Sequence, residues 1–337
     1  MSVLAANLSG KYRKPLSMYY FITYKCPFSC DFCNITGSAQ ESPELGTDDI
    51  KKLLEQMAKA GVIKLQITGG EPMLRDDIAQ IVNTAKEFGI FTGISTSGFR
   101  IPEKIHDMKN LDLVFLSLEG DKETHDAIRG AGTFDTVKRA MSALKENGIP
   151  FWTTSVMNKK SLPSIDFILD WAKEDGFTAN FVMLHPRDDD CMSCFADKDK
   201  AYEYILDEHE VKQASVKLIE KKKQGFPVGT SPAYLEYISN WNNFKSAYTS
   251  EHKGFRCWAG RLYAYMDPYG RMYPCGTLHD RQQGIDVLEC GYSDAVAKLE
   301  KPDCNACLSA CQSEQNMLFS LNAGVIFNWL KALKIKK

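Results

Sequence analysis

The sequence predicts an α/β protein built on a parallel sheet, followed by a small cysteine-rich domain. Three observations carry this. From residue 18 to about 185, six short β-rich runs alternate with amphipathic helical segments. Those segments are long enough to serve as crossovers, and parallel strands need a dozen or more residues to return. After residue 256 the alternation gives way to spaced cysteines around one hairpin signal.

In order, the expected strands are Met18–Thr23, Ile63–Thr68, Phe91–Thr96, Leu111–Leu118, Phe151–Met157 and Thr178–Leu184. Each is short, apolar and rich in β-branched or aromatic residues. Between them, Thr47 is expected to cap a helix over Asp48–Ala60, with Asp48 and Asp49 in its first turn and Gly61 at its end. Asp76–Phe88 repeats that logic and ends at Gly89. Phe134–Glu146 ends at Asn147-Gly148, and Leu162–Glu174 ends near Gly176. Strands alternating with helices favour a parallel architecture, but the pattern does not separate an open sheet from a barrel.

The composition is that of an ordinary folded protein, with 44% hydrophobic and 25% charged residues. A formal net charge of −2 gives no general attraction to nucleic acid. No run approaches the ~18 apolar residues of a membrane span, and Met1–Pro15 lacks the long apolar core of a secretory signal. Eleven cysteines without such a signal point to a reducing compartment, and to metal or redox chemistry rather than disulfides. A cytoplasmic protein is the expectation.

The chain is organised around Thr23-Tyr24-Lys25-Cys26-Pro27-Phe28-Ser29-Cys30-Asp31-Phe32-Cys33, directly after the first strand. Three thiolates at CxxxCxxC spacing hold three irons of a cubane cluster and leave the fourth open to a substrate or cosubstrate. Structural zinc takes four ligands, usually as CxxC pairs, and suits this spacing poorly. The stretch resembles the signature of the radical SAM enzymes, with an aromatic, Phe32, before the last cysteine. The resemblance implies a partial six-fold (β/α) barrel with a 4Fe-4S cluster on Cys26, Cys30 and Cys33. It also implies S-adenosyl-L-methionine on the open iron, cleaved by one electron to a 5′-deoxyadenosyl radical. An electron donor such as flavodoxin or ferredoxin, and sensitivity to oxygen, follow from the same resemblance.

Ligands in such folds gather at the carboxyl ends of the strands. After the second strand, Gly69-Gly70-Glu71-Pro72 resembles the family's GGE motif, which implies contact with the methionyl amine. After the third, Ser95 and Ser97 offer hydroxyls for ribose or carboxylate oxygens, or else cap a turn. After the fourth, Ser117-Leu118-Glu119-Gly120 followed by Arg129-Gly130 resembles the SLDG…RG pattern of the SPASM and twitch branches. That resemblance implies that Ser117 and Arg129 meet the cosubstrate carboxylate. Glu119 stands where the family usually has Asp and is left unassigned. Asn158 and His185 lie at later strand ends, where a turn role is the plainer reading.

From Pro186 to about Phe255 a helical bridge is expected, with helices over Tyr202–Lys223 and Pro232–Tyr248. It opens on a CxxC, Cys191 and Cys194, that reads as a metal pair, a redox pair, a chance spacing or a hydrogen-atom donor to a substrate radical.

The last third carries Cys257, Cys275, Cys290, Cys304, Cys307 and Cys311. Strand-like Arg261–Met266 runs into Asp267-Pro268-Tyr269-Gly270, a turn that returns Cys275 beside Cys257. Cys304 and Cys307 offer two more corners of a four-cysteine site, and zinc would also accept four cysteines. The hairpin resembles the start of the SPASM and twitch extensions, which implies one auxiliary 4Fe-4S cluster. Cys290 and Cys311 are left over, and either can displace one of the four.

The expected domains are thus an N-terminal segment 1–17, a barrel core 18–185, a bridge 186–255, an auxiliary-cluster domain 256–315 and a C-terminal amphipathic helix 316–337. That helix is apolar and basic and reads as packing on the body, with weak membrane-surface contact as the sharper alternative. About 17 residues precede the first strand, too few for a peptide-recognition module. The expected substrate is therefore a small molecule, cofactor precursor or lipid. The alternatives are a peptide to be cross-linked or epimerised and, in another class, a zinc-binding interaction protein.

Overall fold

The structure is a computed structural model describing residues 13–108, 110–184, 203–241, 246–277 and 282–334. Six strands, β1 (Ser17–Phe21), β2 (Lys64–Thr68), β3 (Phe91–Thr96), β4 (Leu113–Ser117), β5 (Phe151–Met157) and β6 (Thr178–Met183), lie side by side in chain order. All five pairings are parallel. The intervening helices include Thr47–Ala60, Ile78–Glu87, Thr133–Glu146 and Ile165–Asp175. The result is the expected partial (β/α)6 barrel.

Local chemistry sets the boundaries. The helix Thr47–Ala60 stops at Gly61, whose φ of 90° is the left-handed conformation that glycine tolerates. Thr47 does not cap it. Gly46 takes that position, and the Thr47 hydroxyl donates instead to Asp77 Oδ2 at 2.6 Å. Asp77, expected inside the next helix, accepts from Arg75 as well and leaves that helix to begin at Ile78. A short helix, Lys122–Arg129, was not anticipated. Asp121 caps it by accepting from the Thr124 N–H at 2.9 Å.

Beyond the barrel come β7 (Tyr248–Thr249), β8 (Tyr263–Met266), β9 (Arg271–Tyr273), β10 (Ile285–Asp286) and β11 (Ala306–Cys307). β8 and β9 form the expected hairpin. Asp267 Oδ1 accepts from the Tyr269 and Arg271 N–H groups in its turn. The hairpin is not a separate lobe, since β8 pairs in parallel with β1, Ser17 opposite Tyr263. One nine-stranded sheet results, in the order β10-β9-β8-β1-β2-β3-β4-β5-β6. At the other edge, Ala179 N–H donates to Pro227 O, Gly229 N–H to Ala179 O, and Phe181 N–H to Thr230 Oγ1. The tail forms two helices, Ala310–Phe319 and Ala323–Lys334, broken at Leu321, which has φ 62°.

The two faces of the sheet differ. Met18, Tyr20, Leu65, Ile67, Ile94, Val114 and Leu116 point outward into the core beneath the helices. Their inward neighbours Ser95, Phe115, Ser117, Thr154, Val156, Asn180 and Val182 are only partly buried. Inward residues that solvent still reaches describe a lumen rather than a filled barrel centre.

Candidate active site

The loop leaving the carboxyl end of β1 carries Cys26, Cys30 and Cys33, all partly exposed. Its course is set by backbone contacts with the end of β2. Gly70 N–H donates to Thr23 O at 2.8 Å and Glu71 N–H to Lys25 O at 2.9 Å. A Cβ on Gly69 would stand 2.3 Å from Thr23 O, and one on Gly70 2.2 Å from Lys25 O. The two glycines are thus required by close backbone approach. On the other flank, Asp31 N–H donates to Ile128 O, and Phe32 packs on Ile128, Leu184 and Tyr204. Tyr204 and Lys160 both hold Asp31. Burial pushes the Cys26 thiol up to about 11 and raises Cys33 too, so a metal must displace the protons of these two thiols.

Glu71 is 1% exposed, yet its carboxylate is fully engaged. Oε1 accepts from Met73 N–H at 3.0 Å and Thr96 Oγ1 at 2.7 Å, and Oε2 from Ser97 N–H at 2.8 Å and Ser97 Oγ at 2.5 Å. Burial raises this carboxyl, and the four donors pull against that rise. The side chain therefore clamps the end of β2 to the turn after β3. Ser97 is spent in the same clamp, while Ser95 Oγ lies lower in the lumen and accepts from Gln66 Nε2 at 3.1 Å.

Glu119 is fully buried at the end of β4. Its Oε1 receives Arg129 Nη2 at 2.6 Å and Nε at 2.9 Å, and its Oε2 receives Val156 N–H at 2.9 Å. Arg129 Nη1 reaches on to Cys30 Sγ at 3.8 Å, and the guanidinium lies over the Phe32 ring. The longer side chain in place of the usual Asp thus spans from Arg129 to β5, and leaves one guanidinium nitrogen facing the cysteine loop. Below it, Glu119 N–H donates to His125 Nδ1 at 3.1 Å. Burial lowers His125 to about 3, so this imidazole is neutral and accepts.

The second thiol set lies at the opposite end of β1 and β8. Cys257, Cys275, Cys304 and Cys307 line one small cavity, with Tyr263, Gln312 and Asn316 among its walls. Burial and mutual repulsion push Cys304 up to about 12 and Cys307 well up. The two left-over cysteines are elsewhere. Cys290 Sγ donates to the Asp286 carbonyl, and Cys311 is exposed.

A sequence model of the radical SAM superfamily matches residues 20–172. Those residues form a radical SAM domain. The chain is 24% identical over 316 residues to the mycofactocin maturase MftC of Mycolicibacterium smegmatis, covering 88% of this chain and 75% of that one. It is 30% identical over 168 residues to the PqqA peptide cyclase of Ruegeria pomeroyi, covering 48% and 45%. Among solved structures, SuiB of Streptococcus suis bound to S-adenosylmethionine superposes with a TM-score of 0.68 at 17% identity, over 89% of this chain and 69% of SuiB. Native anSMEcpe with bound AdoMet superposes with a TM-score of 0.64 at 16% identity, over 93% and 99%. At those identities the structural likeness establishes the fold.

Thiolates are the donor type that iron–sulfur clusters take, each on a different iron. Cys191, Cys194 and His185 lie outside the described residues. Asn158 is buried in a turn, its amide oxygen accepting from the Lys160 and Ser161 N–H groups, which is the plainer of its two readings. No helix among the described residues is long and apolar enough to cross a membrane. Sequence reasoning missed His125. The Asp121–Thr124 cap that builds the helix under it was the available signal.

Proposed function

We propose that this radical SAM enzyme is a peptide maturase, acting on a ribosomally made peptide seated in the lumen. The observation that carries this is the match to a mycofactocin maturase over 88% of the chain, well beyond the barrel core. The PqqA peptide cyclase adds weight, as does SuiB, whose fold accommodates the precursor peptide SuiA. This reading replaces the small-molecule expectation.

Cys26, Cys30 and Cys33 would hold the 4Fe-4S cluster, with S-adenosyl-L-methionine against Gly69, Gly70, Ser117 and Arg129. When bound, that pair supplies the radical that removes a substrate hydrogen atom. The protein's part is positional. Glu71 fixes the Gly-Gly turn under the cysteine loop, and Glu119 aims Arg129 at the mouth of the lumen. Cys257, Cys275, Cys304 and Cys307 would hold an auxiliary cluster at the far end of the same strands, placed to accept an electron in a net oxidation.

The test uses anaerobically reconstituted protein, dithionite, S-adenosylmethionine and peptides from short reading frames beside the gene. The expected result is roughly eight irons per chain, 5′-deoxyadenosine above the peptide-free rate, and a peptide lighter by two hydrogens or epimerised. A small molecule that is turned over while every such peptide is inert would overturn the reading.

A further inference from the structure

We infer that the last helix, Ala323–Lys334, seats the enzyme on an anionic lipid surface through its outer face. One face of this helix is spent on the body. Val325 is buried, the Trp329 ring lies 5.6 Å from that of Trp152, and Asn328 Nδ2 donates to the Gly229 carbonyl at 2.8 Å. The opposite face is uncovered. Phe327 is 63% exposed and Leu330 48%, with Leu321 also 48% exposed in the break just before the helix. Of the eight large apolar side chains left exposed among the described residues, three thus fall within residues 321–330. By i, i+3 and i+4 spacing, Phe327, Leu330 and Lys331 share one side of the helix, and Lys331 is exposed there too.

Charge selects the partner. From Gln315 to Lys337 the chain carries no Asp or Glu, and its charged side chains are Lys331, Lys334, Lys336 and Lys337. Exposed Phe and Leu running into lysines match an interface that is apolar beneath and negative above. Three apolar side chains fall far short of the roughly 20–30 residues a side that a stable protein interface buries. A bilayer needs no such area. It takes up single side chains without a shaped partner, and each lysine near an anionic surface strengthens binding roughly fivefold. The helix lies at the amino ends of the strands, since Trp152 is the second residue of β5, whereas the loop of Cys26, Cys30 and Cys33 leaves the carboxyl end of β1. Enzyme seated this way turns the mouth of the barrel from the lipid and leaves it open to a water-borne substrate.

The test floats full-length, cluster-loaded enzyme with vesicles of phosphatidylcholine, and with vesicles of phosphatidylcholine mixed with phosphatidylglycerol. Partition onto the anionic vesicles should be at least about tenfold higher, and added salt should remove most of that excess. Phe327→Ser with Leu330→Ser should lower the partition by on the order of tenfold, through lost apolar area. Lys331→Glu should lower it at least about fivefold. All three positions are exposed, so melting temperature and iron content should stay at wild-type values. Equal flotation with both kinds of vesicle, or of wild type and the double variant, would overturn the inference. So would enzyme that never floats but forms a dimer the double variant abolishes, which would make this face a contact between copies. Should the double variant not fold, Lys331→Glu and the salt series still decide. No peptide or cosubstrate enters the measurement, so its outcome is independent of the maturase reading.

Discussion

Replacing Glu71 by Gln separates a clamp from a cosubstrate ligand. In the structure the carboxylate accepts four hydrogen bonds, two on each oxygen. An amide presents one oxygen and one NH2. Whichever way it turns, one backbone N–H, that of Met73 or that of Ser97, faces a donor, while the hydroxyls can rotate. One orphaned buried N–H, together with the loss of charge-assisted bonds, costs about 2–4 kcal/mol. Unfolding entropy of roughly 2.1 cal/mol/K per residue puts the fall in Tm at roughly 3–6 °C for a chain of this length. The assay is thermal unfolding of metal-free protein, where no cosubstrate contact contributes. A metal-free Tm within about 1 °C of wild type, alongside a raised KM for S-adenosylmethionine, would refute the clamp.

Gly70→Ala drives a Cβ into Lys25 O and should displace the first cysteine loop, so that iron content falls by about half with the second set still loaded; iron assay and EPR check this. Glu119→Gln leaves Arg129 buried without a counter-charge and should lower stability by about 3–5 kcal/mol in denaturant unfolding. Cys304→Ala should lose about four irons per chain if its cavity holds a cluster. Burial lowers Lys222 to about 8. The unfolded chain then binds more protons than the folded one above that value, so stability from this group rises with pH from about 8 towards the ordinary lysine range. The wild-type rise should exceed that of Lys222→Met in the same pH series of melting curves.

Strand periodicity located Phe91–Thr96 and Phe151–Met157 to the residue, because both faces of those runs are β-rich and their flanking turns are sharp. Helix starts were less legible. Thr47 and Asp77 both look like caps, but each satisfies the other's side chain across two elements, a pairing invisible to local reading. The cysteine loop and its Gly-Gly neighbour were plain from spacing. Glu119 was visible and unassigned, since only the fold shows that its extra methylene reaches β5 and Arg129 at once. The small-molecule expectation rested on the chain ahead of β1, which says where the chain starts and nothing about what the lumen holds.

The pairing of β8 with β1 makes the sheet a ruler between the two cysteine sets. Both are anchored to the ends of the same two adjacent strands, and five residues of β1 measure roughly 17 Å. An electron crossing from one to the other would therefore travel a span that no loop or hinge can stretch. Tuning its rate would fall to the side chains stacked along that span, with Tyr19 and Tyr265 midway.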